Sequence, residues 1–244
     1  MKKTELIMGM PITVEIVSRS TKVSQTIEET FLFFKKIDQR FSTYKKNSEI
    51  SKINQGLSRS EWSQEMIEVM DLCQLTKDQT NGFFDIKHDA KLDPSGLVKG
   101  WAIYNASIEL AKHFTNFYIE AGGDVQVSGH NNDQNLWRVG IRNPFNINEI
   151  VKVVGLENQA IATSGNYIRG AHVYNPLTNA PILNPVSLSV IGPDIYQADR
   201  YATAAYAMGL DGINFIEKQS NLEGYMIDKF GIATKTSNFE RYVI

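Results

Sequence analysis

Apolar residues recur along this chain with two periods, and the switches between them divide it into elements. Residues 12–17 alternate around Thr13 and Glu15, the period of a half-buried strand. Over residues 24–40 the period lengthens. Ile27, Phe31, Phe34 and Ile37 then share one helical face, and Thr26 with Glu29 has the spacing of a capping box. Residues 41–54 are polar and irregular and predict a surface loop with one aromatic, Tyr44, in its middle. Residues 63–79 predict a second helix, with Ser63 as its cap, Met66, Met70 and Cys73 on the repeat, and Asn81-Gly82 as the stop. A third helix is expected over 98–114, entered from Asp93-Pro94-Ser95-Gly96.

Short alternating runs follow at 117–120, 125–128, 137–142 and 151–156, separated by Gly, Asn and Asp, and these predict antiparallel strands. Residues 187–191 predict another strand, 199–208 a helix ended by Gly209, 212–219 a short helix, and 224–230 with 232–235 a closing hairpin. Helices and strands mix without a regular βαβ alternation. The expected fold class is therefore α+β, a largely antiparallel sheet with packed helices, as a single domain over residues 1–244.

Composition narrows the function classes. The net charge of −2 provides no basic excess to neutralise phosphates, which argues against a nucleic-acid partner. Lys35-Lys36 and Lys45-Lys46 are flanked by acids and fit a solvated face. Cys73 stands alone, so neither an intramolecular disulfide nor a thiolate zinc site is available. Met1-Lys2-Lys3 has the charge of a leader's first residues, but Glu5 and Pro11 interrupt the apolar run a leader needs. No stretch of about 18 apolar residues is present, so no membrane span is expected. The expected location is cytoplasmic, or that of a mature form already trimmed.

The most suggestive chemistry is in residues 197–203. In a helix Asp199 and Thr203 lie four residues apart on one face, a carboxylate above a hydroxyl. That is a hard-oxygen pair of the kind Mg²⁺ accepts, although Asp near a helix start is also favoured by the macrodipole alone. Five loop segments are rich in site-forming residue types. They are Phe41-Ser42-Thr43-Tyr44, Gly82-Phe83-Phe84-Asp85, the stretch 93–100 with Lys99 near a helix start, Ala121-Gly122-Gly123-Asp124, and Thr163-Ser164-Gly165 ahead of His172-Val173-Tyr174-Asn175-Pro176. Each also has a plain structural role: an exposed ring for Tyr44, core for Phe83 or Phe84, a hairpin turn for Gly122-Gly123, a core histidine for His172. Lys99 so close to a helix N-terminus wants an anionic partner, and a neighbouring Asp would suffice. A hydrolase triad of Ser164, His172 and Asp199 lacks the Gly-x-Ser-x-Gly pattern, and the glycine pair lacks the spacing of a dinucleotide fingerprint.

Taken in order, these segments resemble the ApbE family of FAD:protein FMN transferases. The resemblance runs from Met8-Gly9 through residues 41–54, 82–85, 93–100 and 122–124. It continues with Trp137–Asn143 and Pro144, residues 162–165 and 172–176, and residues 198–203. It implies a flavin site in which Met8 and Tyr44 hold the isoalloxazine and Phe83, Phe84 and Asp85 line the FAD pocket. Asp93 and Lys99 would make polar contacts, with Tyr174 near the reacting end. It also implies Mg²⁺ held by Asp199, Thr203 and the carbonyl of Gly96, and His172 at the catalytic centre as general base or electrostatic partner of the phosphoryl group. The implied reaction moves FMN from FAD to a threonine hydroxyl of an acceptor protein and releases AMP.

The chain departs from the family pattern in three places. Ala202 stands where some members have a second Asp, which predicts weaker Mg²⁺ binding. Asn175-Pro176 replaces Asp-Pro, with Asn179 for the Gly beyond, and Met8-Gly9-Met10 replaces Met-Gly-Thr. An FAD pyrophosphatase releasing FMN and AMP, and a non-catalytic FAD-binding module, are the alternatives these residues leave open.

Overall fold

The computed structural model describes residues 1–88, 90–166 and 174–244. Its first strand is one the alternation did not announce. β1 (Lys2–Ile7) returns through Met8-Gly9 into β2 (Met10–Ile16), with Ile7 opposite Met10. β1 is a sheet edge that exposes Lys2, Thr4 and Leu6, so its pattern reads as polar, and its charges suit an edge that must not pair further.

Helix α1 (Val23–Phe41) buries Ile27, Phe31, Phe34 and Ile37, as their spacing requires. The expected capping box is absent: the helix opens at Lys22, and the Thr26 hydroxyl donates to the Lys22 carbonyl inside the first turn. The expected loop over 41–54 contains α2 (Glu49–Ile53), five residues capped by Ser48 and too short to establish a period. α3 (Gln64–Gln79) is capped by Ser63, whose hydroxyl accepts from the Met66 amide at 3.2 Å. A small ribbon, β3 (Lys87–His88) and β4 (Lys91–Leu92), leads into α4 (Ser95–Ala111). α4 begins three residues before the expected start because Pro94, which needs no N–H there, serves as its cap.

The remaining strands are β5 (Phe117–Ala121), β6 (Asp124–Ser128), β7 (Trp137–Asn143), β8 (Asn146–Leu156), β9 (Ala160–Gly165) and β10 (Ser187–Gly192). Then come α5 (Ile195–Ala207), α6 (Gly212–Glu217), β11 (Glu223–Ile227) and β12 (Ala233–Lys235). Eight strands pair antiparallel in the order β1-β2-β5-β6-β9-β10-β11-β12, while β7 and β8 form a separate ribbon. This is the α+β fold with a largely antiparallel sheet that the pattern predicted. β9 escaped detection because its first three residues are buried, leaving no polar alternation to read.

Alternation assigns the two faces of the sheet. Ala160 and Ala162 join the large core under the helices, while Ile161 packs with Trp137, Val139 and Leu156 of the ribbon. On β6, Val125 and Val127 also face the ribbon, which leaves Asp124 and Gln126 on the other face, toward the helices. Gln126 uses that position structurally: its Oε1 accepts from the Ile195 amide at 2.9 Å, satisfying one of the free donors where α5 begins. Asp194 caps the same helix end by accepting from the Gln197 amide at 2.8 Å, so α5 starts four residues earlier than expected. Among the described residues no helix is long and apolar enough to cross a membrane.

Cys73 lies in the core beneath α3, and burial, with the Asp85 charge second, pushes its thiol up to about 12. The thiol should therefore be inert to a disulfide reagent at pH 8 in the native protein and react in one phase as the chain unfolds. Rapid native-state labelling would show that this packing is wrong.

Candidate functional site

The site is built where α4 crosses α5. α4 offers Gly96 and Gly100, four residues apart, to Ile195, Asp199 and Thr203 of α5. A Cβ on Gly100 would stand 2.7 Å from Asp199 Cβ and 2.9 Å from the Ile195 carbonyl oxygen. One on Gly96 would lie 3.4 Å from Thr203 Cγ2 and 3.5 Å from Phe84 Cε2. Without those methyl groups the backbones approach closely enough for the Gly100 N–H to donate to Asp199 Oδ2 at 2.8 Å.

Asp124 comes from the sheet. Gly122 and Gly123, at φ of 59° and 98°, close the β5–β6 hairpin in two residues and make Asp124 the first residue of β6. Its Oδ1 accepts from the Thr163 amide at 3.1 Å. Lys99 Nζ reaches Asp124 Oδ2 at 2.7 Å and Asp199 Oδ1 at 3.6 Å, so one ammonium serves two buried carboxylates. Burial raises the Asp199 carboxyl most strongly. The Lys99 charge opposes that rise, the Asp124 charge adds to it, the Gly100 N–H opposes it, and the group is pushed up to about 7. The trio is thus short of positive charge.

That shortage suits a divalent cation. Asp199 carboxylate, Thr203 hydroxyl and Gly96 carbonyl are all hard oxygens, and the Thr203 hydroxyl makes no hydrogen bond to the described residues. No group of three or more His, Cys, Asp or Glu side chains converges among the described residues. A protein that supplies one carboxylate and neutral oxygens is the usual host for Mg²⁺, whose shell is completed by water and substrate phosphates. The donor set therefore fits the ion.

The other expected site residues divide into groups. Phe84 is buried beside Gly96, and Phe83 is half-buried. Asp85 is tied to Lys77 at 2.6 Å, and Asp93 Oδ1 accepts from the Ser95 amide at 3.0 Å as α4 begins. Met8 sits in the β1–β2 turn, half-buried against the main core. Tyr44 stands 96% exposed between α1 and α2. Tyr174 stacks on His88, ring centres 4.0 Å apart and tilted by 37°, and bridges to Pro181. His172 lies outside the described residues. Three residues beyond the expected set belong to this arrangement: Asp124 and Gly100, whose segments the sequence marks without a role for either, and His88. The Gly122-Gly123-Asp124 run was the available signal for the first, since a tight turn that delivers a carboxylate is more than a turn.

Comparison with known proteins supplies the family and the fold. The ApbE family profile matches residues 8–89 and 86–226. An FAD:protein FMN transferase of Haemophilus influenzae is 29% identical over 161 residues, 60% of this chain and 46% of that protein. The Escherichia coli K12 protein of the same name is 30% identical over 159 residues, 61% of this chain and 45% of the relative. The chain thus matches about half the length of these curated relatives. Among solved structures, the ApbE protein of Thermotoga maritima superposes with a TM-score of 0.88 at 20% identity, covering 99% of this chain and 98% of that one. The flavin transferase ApbE of Vibrio cholerae gives 0.86 at 22%, covering 99% and 98%. At such identities these superpositions speak to the fold.

The helix crossing makes a sharp pair of expectations. Gly100→Ala should cost about 1–3 kcal/mol by overpacking against backbone and Cβ, a loss of roughly 2–10 °C in Tm. Gly96→Ala, which meets only ordinary contacts, should be close to neutral in stability. Equal effects in thermal denaturation would contradict the crossing as described.

Proposed function

The chain belongs to the ApbE family, and on that premise we propose that it transfers the FMN moiety of FAD to a threonine hydroxyl of an acceptor protein, releasing AMP. The observation that carries this reading is the Lys99–Asp124–Asp199 cluster with Gly96 and Thr203 beside it. It is an arrangement suited to a cation and a diphosphate together.

Asp199, Thr203 and the Gly96 carbonyl would hold Mg²⁺. When bound, the ion polarises the phosphoryl oxygens and stabilises the departing AMP. Gly100 fixes the Asp199 carboxylate through its amide, and Asp124 fixes the Lys99 ammonium, so both charges are positioned before substrate arrives. Phe84, with Phe83 and Asp85, would line the FAD pocket. Asp93 and Lys99 would give polar contacts, and Met8 and the exposed ring of Tyr44 would take the isoalloxazine. Tyr174, held against His88, would stand near the reacting end. In the transfer step the threonine Oγ attacks the FMN phosphorus and the bond from that phosphorus to the AMP oxygen breaks. His172 takes the hydroxyl proton.

Ala202 is fully buried in the main core, so the position of the missing carboxylate is packed. Ala202→Asp should lower stability in chelator, and Mg²⁺ should restore more of it than in the wild type. It should also bind Mg²⁺ more tightly, both checked by calorimetry and thermal melts. Weaker binding by the variant would overturn the assigned ligand set.

The direct test incubates the protein with FAD, Mg²⁺ and a cognate acceptor. The expected product is a covalently fluorescent acceptor with one AMP per flavin, lost on chelation. Its rate should fall by about 10²-fold or more in His172→Ala. AMP release at the same rate without acceptor would establish hydrolysis instead, and bound flavin with no AMP under any condition would establish a binding module.

A further inference from the structure

A cleft of about 390 Å³ opens between α3, α4 and the first turns of α5, and the transfer reaction has no use for it. Its volume is within the range of small-molecule sites. Glu68, Trp101, Tyr104, Asp194, Tyr196 and Arg200 line it. Arg200 is only 7% exposed. Its guanidinium lies over the rings of Tyr196 and Tyr201, at 4.8 and 4.3 Å. Its hydrogen-bond acceptors are all neutral: Gln79 Oε1 at 2.7 Å, Thr76 Oγ1 at 3.3 Å and the Tyr201 hydroxyl at 3.2 Å. Among the described residues no carboxylate forms an ion pair with it. A buried cation without a counter-ion is a standing cost to the fold. Two donors there also lack a hydrogen bond, Arg200 Nε and the Tyr196 hydroxyl. Thr76 is near enough to influence the Tyr196 hydroxyl but outside bonding geometry.

The opposite charge lies on the same cleft. Glu68 is exposed, and its Oε1 accepts from Trp101 Nε1 at 2.9 Å. Asp194 is held by the Gln197 amide and side chain at 2.8 and 2.7 Å. Neither has an ion-pair partner among the described residues. A plain anion entering the cleft would meet two carboxylates, and a plain cation would meet Arg200. A molecule carrying both charges complements both.

We propose that this cleft is a second ligand site for a small zwitterion of the α-amino-acid class. The carboxylate accepts from Arg200 and the Tyr196 hydroxyl, which meets both unpartnered donors at once. The ammonium faces Glu68 and Asp194, and the side chain lies against Trp101 and Tyr104. Both unpartnered atoms are closed to solvent, so the Tyr196 ring shifts on binding.

Three probes with one body and different charges test this on the flavin-free protein by calorimetry or ligand-observed NMR: L-phenylalanine, its amide (cation only) and 3-phenylpropionate (anion only). L-Phenylalanine should bind saturably, with each single-charge analogue at least about ten-fold weaker. Glu68→Gln keeps an acceptor for Trp101 at an exposed position and should weaken L-phenylalanine by about three- to ten-fold. Arg200→Met should abolish binding; if that buried change unfolds the chain, the Glu68 variant and the probe series still decide. No saturable binding below about 10 mM, equal affinity for the three probes, or an unchanged affinity in Glu68→Gln would overturn the proposal.

Discussion

The contact on which the site depends is the crossing of α4 over α5 at Gly100. A helix amide normally serves its own helix; here the Gly100 N–H reaches a carboxylate on a neighbouring one, which only a residue without a side chain allows. From that bond the rest follows. Asp199 is fixed in rotamer and register, and Thr203, one turn later, is brought over Gly96. Lys99, the residue before Gly100, is then aimed at the same carboxylate.

The sheet completes this arrangement through a different constraint. Strand alternation sends Val125 and Val127 into the ribbon-side core, so Asp124 and Gln126 must face the helices, where an uncompensated polar group would be costly. Gln126 is satisfied by the α5 terminus and Asp124 by Lys99 and Thr163. The same side-chain pair therefore docks α5 on the sheet and loads the site with charge. Structure and chemistry are not separable at β6.

Legibility in the sequence followed the length of each periodic signal. α1 and α3 bury a long repeated face, and the interior antiparallel strands alternate, so their existence was readable. α2 has five residues, β9 is buried from its first residue, and β1 is a polar edge, so each lacked a period to detect. The starts of α4 and α5 lie ahead of the expected ones because their caps, Pro94 and Asp194, precede the apolar pattern. Asp199 and Thr203 could be paired from spacing alone, since four residues on a helix fix a face. For Asp124 the Gly122-Gly123 turn signals a delivered carboxylate but not its partners, which depend on how α4 docks on the sheet.

The charge balance of the cluster limits what can complete it. Two buried carboxylates and one ammonium leave a single negative charge, and burial, with the Asp124 charge adding to it, lifts Asp199 toward the neutral form. Adding a divalent cation turns that deficit into one excess positive charge, which a phosphate oxygen can neutralise. A third carboxylate, at position 202, would remove that excess and hold the ion without help. With Ala202 packed in the core instead, the cation and the diphosphate of the proposed reaction would each favour the other's binding. By linkage, such a dependence would be reciprocal: whatever FAD did for the affinity of Mg²⁺, Mg²⁺ would do equally for the affinity of FAD.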